Sequence, residues 1–379
     1  MRNSVKILVI GQLPPVINGQ SLVTKSILDV LIKENYHVDF LPLTSLNHSN
    51  SILLRLNKFG FYFKSFVDFI RLTYSGNYIV YLNGARSIGG TFRNYPFLMF
   101  SKIFGNKTVL HFHCGDIDEF LESQNLVVRF LLKLVYRLPD KIIILSSLIR
   151  NNFRQIENRN NIVVIKNAVD IIGKPKILSA SESVKLIYMS NLILSKGYFD
   201  VLAAVNYMVN DLGLKNITCD FCGEFLTSFD DPKSNSIESM KSDFFEFIRK
   251  NNLSCHVNYH NLVLDQQKAD LLAKSHFFIL PTNYSTEAQP LSIIEAIANG
   301  CVIITTNFRA IPDMVIDNFN GKFVEYGNPL SITQNISYFV NNPSVYESSS
   351  SNSVLHYQKY FTIDNFNNKV VELFEQIRN

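Results

Sequence analysis

The sequence predicts an α/β protein made of two doubly wound domains, each a parallel sheet flanked by helices. Three observations lead there. The chain has 379 residues, more than one ordinary domain holds and suited to two of roughly 150–200. Short runs rich in β-branched and aromatic residues alternate with helix-length amphipathic segments, as βαβ units require. This rhythm pauses over 171–183 (IIGKPKILSASES) and restarts at 184.

The elements follow in order. VKILVIG (5–11) reads as a buried first strand and residues 21–36 as an amphipathic helix. HVDFLPL, NYIVYLNG, KTVLHFH and KIIILSS read as further strands separated by helix-length segments. In the second half KLIYMS, NITCDFCG, HVNYHN, HFFILPT and CVIITT are strands, and YFDVLAAVNYMVN, QKADLLAKS and SIIEAIANG are helices. The first domain is therefore expected over 1–170 and the second from 171.

Composition narrows the function. Hydrophobic residues make up 47% and charged residues 18%, which excludes a disordered chain. No apolar run approaches the roughly 20 residues that cross a bilayer. The N-terminal run is six residues long, a strand and not a signal peptide, so a cytoplasmic protein, soluble or peripheral on a membrane, is expected. A net charge of +4 is too small to argue for nucleic acid. Of the five cysteines, Cys219 and Cys222 form a C-x-x-C without a second pair, and ordinary buried thiols are expected.

In open α/β sheets ligands sit beyond the carboxyl ends of the strands, so the loops after strands carry the functional information. After 5–11 comes QLPPVINGQS, where Gly19 beside a helix start allows close approach to a ligand. No G-x-G-x-x-G is present, so a nicotinamide or flavin site has little support. In HFHCGDIDEF, His111 and His113 share a strand face and Cys114 points to the other. His113, at the strand end, is the ligand-facing candidate, with a metal site or a structural histidine as alternatives. SNLILSKG puts Lys196–Gly197 at a helix start, where a lysine suits a phosphate. PTNYSTEAQPLSIIEAIANG places Glu287 in a loop and Glu295 eight residues on, inside an apolar run where an unpaired charge is costly. Between them AQPLS opens a helix whose first N–H groups can hold an anion such as a diphosphate.

With these residues in view the chain resembles the retaining GT-B glycosyltransferases, specifically glycosyltransferase family 4. The carriers are Glu287, seven residues, Glu295 and AIANGCVIITT, then IPDMV and NG-KFV. In consistent order come also Pro14, Pro15 and Gly19, HFHCGD, KNAVD, SNL-x-x-SKG and CGE. The resemblance implies a GT-B fold, two Rossmann-like domains facing a central cleft. An acceptor domain would span 1–170 and a nucleotide-sugar domain 171–357, with a helix over about 358–379 packing back on the first. It implies a retaining hexosyl transfer from a nucleotide diphosphate sugar to a hydroxyl of a glycan or lipid-linked acceptor. The expected setting is bacterial surface polysaccharide biosynthesis.

Carried over residue by residue, Glu287 would hold the donor-sugar hydroxyls and Glu295 the nucleotide ribose, while Lys196 would meet the diphosphate. His113 would face the reacting sugar. Asn191, Ala288, Gln289, Pro290 and Leu291 would complete the donor site, and Gly19, Asn18 and Gln20 the loop that meets donor and acceptor. The resemblance implies no cofactor and no metal, with a UDP-sugar favoured over a GDP-sugar as co-substrate. Ser190–Asn191 stands where the family usually has Gly-Arg, Cys114 where a Gly often follows the histidine, and Asn261 where many members carry Gly. A GT-B nucleotide-sugar epimerase and a catalytically silent GT-B-like subunit are the alternative readings.

Residues 55–74 hold seven aromatics and a net charge of +3. Helical spacing turns Leu56, Phe59, Phe63, Phe66 and Ile70 to the sheet and leaves Phe61, Tyr62 and Phe69 outside near Lys58. Such a face suits an anionic membrane surface or, equally, solvent and core. Arg129, Lys133 and Arg137 make a basic row on the helix near 124–138.

Overall fold

The computed structural model describes residues 6–14, 19–43, 52–158, 161–179, 183–229 and 236–378, with the side chains of the second helix from Gly60 onward. The chain divides into two compact units, residues 1–167 with 364–379, and residues 168–363.

The first unit runs β1 (Lys6–Gly11), α1 (Gly19–Lys33), β2 (His37–Pro42), α2 (Ile52–Thr73), β3 (Tyr78–Asn83) and α3 (Ile88–Ile103). It continues with β4 (Lys107–His111), α4 (Ile117–Glu122), α5 (Leu126–Tyr136), β5 (Lys141–Ile144) and β6 (Ile162–Val164). The strands form one parallel sheet in the order β2-β1-β3-β4-β5-β6. β1 lies between β2 and β3, and its residues from Ile7 on are buried, which is why KILVIG reads as a continuous apolar run.

The second unit runs β7 (Val184–Met189), α6 (Tyr198–Asn206), β8 (Ile217–Cys222), α7 (Ile237–Lys250), β9 (Val257–Tyr259) and α8 (Asp265–Lys274). Then come β10 (Phe277–Leu280), α9 (Leu291–Ala298), β11 (Val302–Thr305), β12 (Gly321–Phe323), α10 (Pro329–Asn341) and α11 (Pro343–Tyr360). Its parallel sheet has the order β12-β11-β10-β7-β8-β9, the doubly wound nucleotide-binding order. α12 (Ile363–Arg378) returns to the first unit, burying Phe366, Val370, Leu373, Phe374 and Ile377, while Glu375 accepts a 2.7 Å hydrogen bond from the Tyr36 hydroxyl.

Three expectations need correction. The boundary falls after Asn167, not 170, and the return helix starts at Ile363, because residues 358–360 finish α11. The stretch 171–183, where the strand–helix rhythm pauses, is not a free connection between the units but part of the second one where it is described. Leu178 is buried in the second core, and Lys176 Nζ bonds the Leu272 carbonyl at 2.6 Å. On α2 the buried stripe is rotated by about one residue, roughly 100°: Phe69 is fully buried and Phe63 is exposed. The cause is a second packing partner, since Tyr62, Phe66 and Phe69 all meet Phe97 of α3 within 5.1–5.7 Å. Leu56, Lys58 and Phe59 lie outside the described side chains.

Candidate active site

In the second unit the strand order reverses between β7 and β10, the crevice position where doubly wound sheets take ligands. The two loops that follow these strands are tied together. The Asn283 N–H donates to the Ser195 carbonyl at 2.7 Å. Gly197 has φ +74°, and a Cβ there would sit 2.5 Å from the Pro281 carbonyl oxygen. Only glycine permits that approach, so Ser-Lys-Gly delivers Lys196 to the loop carrying Glu287.

Lys196 Nζ donates to Ser190 Oγ at 3.1 Å and lies 3.2 Å from Glu287 Oε2. It also stands 5.0 Å over the Tyr284 ring. Both charged side chains are largely buried, at 15% and 10% exposure. Glu287 is held by a turn in which its N–H bonds the Tyr284 carbonyl at 2.8 Å, and Arg309 Nη2 braces the same turn at the Ser285 carbonyl, 3.1 Å. Ala288, Gln289 and Pro290 follow as buried chain, and α9 begins at Leu291 with no side chain capping it. Its leading N–H groups and dipole favour an anion.

Glu295 lies within α9, beyond its first turn, and is not unpaired: Lys268 of α8 reaches its Oε1 at 2.5 Å. That partner answers the cost of a carboxylate in the apolar run SIIEAIA. Asn191 is exposed, and its carbonyl accepts from the Tyr188 hydroxyl at 3.1 Å. Behind it Gly223, φ +144°, packs so closely that a Cβ would meet the Ser190 carbonyl oxygen at 2.0 Å. Asn261 has φ +54°, a left-handed conformation that asparagine tolerates nearly as glycine does, so this replacement keeps the backbone path.

The first unit also has a switch point, between β1 and β3, and a chain of polar side chains lies across it. Thr24 Oγ1 donates to the Gln20 carbonyl at 2.7 Å, so its oxygen must accept from Asn83 Nδ2 at 2.8 Å. That fixes the Asn83 amide with Oδ1 toward His113 Nε2, 3.1 Å away. His113 therefore carries its proton on Nε2 and presents a lone pair at Nδ1. Burial lowers its pKa to about 4, which keeps the ring neutral. His111 stacks beside it at 4.2 Å but is fully buried, with Nδ1 2.8 Å from the Tyr81 hydroxyl. It is a core residue.

Cys114 is a half-buried thiol whose desolvation pushes its pKa up to about 12, and Asp116 is engaged by Arg86 at 2.6 Å. Gly19 is the first residue of α1 and Gln20 the second; Asn18 lies outside the described residues. Cys219 and Cys222 are buried in β8, where odd spacing puts them on opposite faces. Among the described residues no three His, Cys, Asp or Glu side chains are grouped to hold a metal ion.

Sequence reasoning missed Asn83, Thr24, Lys268, Tyr284 and Arg309. Asn83 ends a strand beside the switch point, a position that could have marked it. Lys268 sits in an ordinary charged helix and gave no signal.

These features define a fold class, GT-B: two parallel six-stranded α/β sheets with helices. Residues 172–354 match the family model described as Glycosyl transferases group 1. Sucrose-phosphate synthase from Thermosynechococcus elongatus is similar in fold, with a TM-score of 0.75 at 14% identity over 98% of this chain and 99% of that one. Anabaena Alr3699/HepE, solved with UDP, gives 0.73 at 14% identity over 98% and 100%. A glycosyltransferase from Rickettsia africae ESF-5 gives 0.71 at 16% identity over 99% and 98%. No curated protein matches the chain in sequence.

Proposed function

We propose that this protein is a retaining glycosyltransferase of family 4, moving a sugar from a nucleotide diphosphate sugar to a hydroxyl of a glycan or lipid-linked acceptor. The observation that carries the reading is the Lys196–Glu287 pair at the β7/β10 switch point, followed by the uncapped start of α9. A cation and free amides are what a leaving diphosphate needs, since its charge grows as the glycosidic bond breaks. The anomeric carbon exchanges its bond to the diphosphate oxygen for one to the acceptor oxygen. The diphosphate keeps the electron pair, and the acceptor proton is lost.

In this scheme Glu287 accepts from the donor-sugar hydroxyls and Glu295 from the ribose. Ala288, Gln289, Pro290, Leu291 and Asn191 line the donor. His113 is assigned to the reacting sugar, where Nδ1 can accept from a hydroxyl, and Gly19, Asn18 and Gln20 to the loop meeting donor and acceptor. No step requires a metal or cofactor. A UDP-sugar is the favoured donor; the Anabaena structures hold UDP and UDP-glucose. The proposed setting is surface polysaccharide assembly on the cytoplasmic membrane face.

One observation favours a second reading. Asn191 leaves the diphosphate site one cation short of the family pattern, as in a silent subunit. Thermal shifts with UDP, GDP and their sugars, followed by assay of nucleoside diphosphate release, separate the two. An active enzyme is stabilised and releases diphosphate; a silent subunit releases none with any acceptor.

A further inference from the structure

Right-handed crossovers place α2, α3 and α5 on the same side of the first sheet, and α3 packs against both neighbours. α5 buries Leu132, Val135 and Tyr136 inward, which completes its contribution to the core. Its opposite side should then be polar. It is not: Leu126 (82% exposed), Val127, Phe130 (62%), Leu131 and Leu134 all face outward. At the pitch of an α-helix they span about 140° of one surface. α3 adds exposed Phe92, Tyr95 and Ile103 beside them. Scattered exposed apolar residues need no explanation, but contiguous ones mark a contact surface.

Charge selects the partner. Counting α2 from Gly60, the three helices carry Lys64, Arg71, Lys102, Arg129 and Lys133, together with Arg93, whose Nε is buried and does not reach the rim, against one acid, Asp68. Their net +5 exceeds the +4 of the whole chain, so the rest of the molecule is slightly acidic. The neighbouring α4 adds three acids, Asp118, Glu119 and Glu122, which leaves the four helices together at +2; Glu122 lies 3.9 Å from Arg129, and Asp118 accepts the Gln155 N–H at 3.2 Å. No helix among the described residues is long and apolar enough to cross a membrane. An apolar surface rimmed by cations on a non-spanning helix matches the interface of an anionic bilayer, where the rings and methyl groups enter the acyl boundary and the cations meet headgroups.

We propose that the outer surface of α5, extended by α3, seats this protein on membranes containing anionic lipid. This moves the membrane contact away from the aromatics of residues 55–74, several of which are core. It does not depend on glycosyl transfer, so either reading can fail without the other.

Flotation with vesicles of phosphatidylcholine, alone or mixed with phosphatidylglycerol, tests it. The wild type should float with the mixed vesicles and lose binding as salt rises. Phe130→Ser with Leu134→Ser should weaken partition at least about tenfold, and Lys133→Glu about fivefold or more. Because these side chains are exposed or peripheral, melting temperatures should stay unchanged. Absence of flotation on mixed vesicles, or equal flotation of the serine variant, would overturn the proposal. So would lipid-free self-association of the wild type that the serine variant abolishes, which would give this face to a second copy of the chain.

Discussion

Lys196 Nζ stands 3.2 Å from Glu287 Oε2, close enough to neutralise it, yet the aligned hydrogen bond of the ammonium goes to Ser190 Oγ at 3.1 Å. Glu287 Oε2 is buried and accepts no aligned hydrogen bond of its own. The pair is thus held by charge alone, and each member can turn to a bound diphosphate or sugar without breaking a well-formed bond. Glu287→Gln should leave nucleoside diphosphate affinity within about twofold, a small fraction of the roughly 1.4 kcal/mol that a tenfold change represents, while turnover of the intact sugar donor falls. Calorimetric titration of UDP alongside donor turnover checks both halves.

Glu295→Ala should weaken nucleoside diphosphate binding by about 1.5–3 kcal/mol, the worth of a hydrogen bond to a charged acceptor. Lys268→Ala removes the partner of the same carboxylate. It should lower the melting temperature, because a largely buried charge loses its counterion. Equal loss of UDP affinity in Glu287→Ala and Glu295→Ala would contradict the separate roles.

Asn83 positions His113, and the tautomer it imposes can be observed directly. Nitrogen-15 NMR should show the His113 proton on Nε2 in the wild type. In Asn83→Asp a carboxylate replaces the amide, so the His113 pKa should rise from its depressed value toward or above the ordinary range. An unchanged titration would place His113 elsewhere.

Acid should destabilise the second unit through His276, whose Nδ1 accepts the Lys185 N–H at 3.0 Å and so must stay unprotonated. Burial, with Lys176 and Lys185 nearby, lowers its pKa to about 4. The unfolded chain takes up this proton near pH 6.5, so between about 6.5 and 4 the unfolded state binds more protons and stability falls as pH falls. Above about 6.5 the contribution is constant. Urea midpoints at neutral and mildly acidic pH should drop less in His276→Gln than in the wild type.

Most of the fold was legible because the inner strands β1, β3, β5, β10 and β11 are buried on both faces over nearly their whole length and read as apolar runs, as in FFIL of β10. Of the three-residue edge strands, β9 was readable in the alternating HVNYHN, whereas β6 and β12 carry too little pattern to be seen. α11 was hidden by its run of serines, which resembles a loop. Ser350 and Ser353 are buried and donate to the carbonyls of Gly300 and Cys301 at 2.6 and 2.8 Å, so the hydroxyls serve packing. At the site, Lys196, Glu287 and Glu295 were readable because they follow strands or interrupt apolar runs. Asn83 and Thr24 were not, since their meaning comes from a sheet order that juxtaposes β1 and β3.

The exposed Asn191 has room for a longer side chain. Asn191→Arg should tighten UDP binding severalfold if the guanidinium reaches the diphosphate, measurable by the same titration. No gain would mean that the family's Arg position is not occupied by this residue.

The most direct test of the account is release of nucleoside diphosphate from a UDP-sugar by wild type and Lys196→Ala. Lys196 is the cation placed at the β7/β10 switch point, and loss of one preorganised stabiliser of transition-state charge lowers turnover at least about a hundredfold. The wild type should release diphosphate measurably and the variant should show that scale of loss, with the fold intact by circular dichroism. Release by Lys196→Ala at close to the wild-type rate would contradict it.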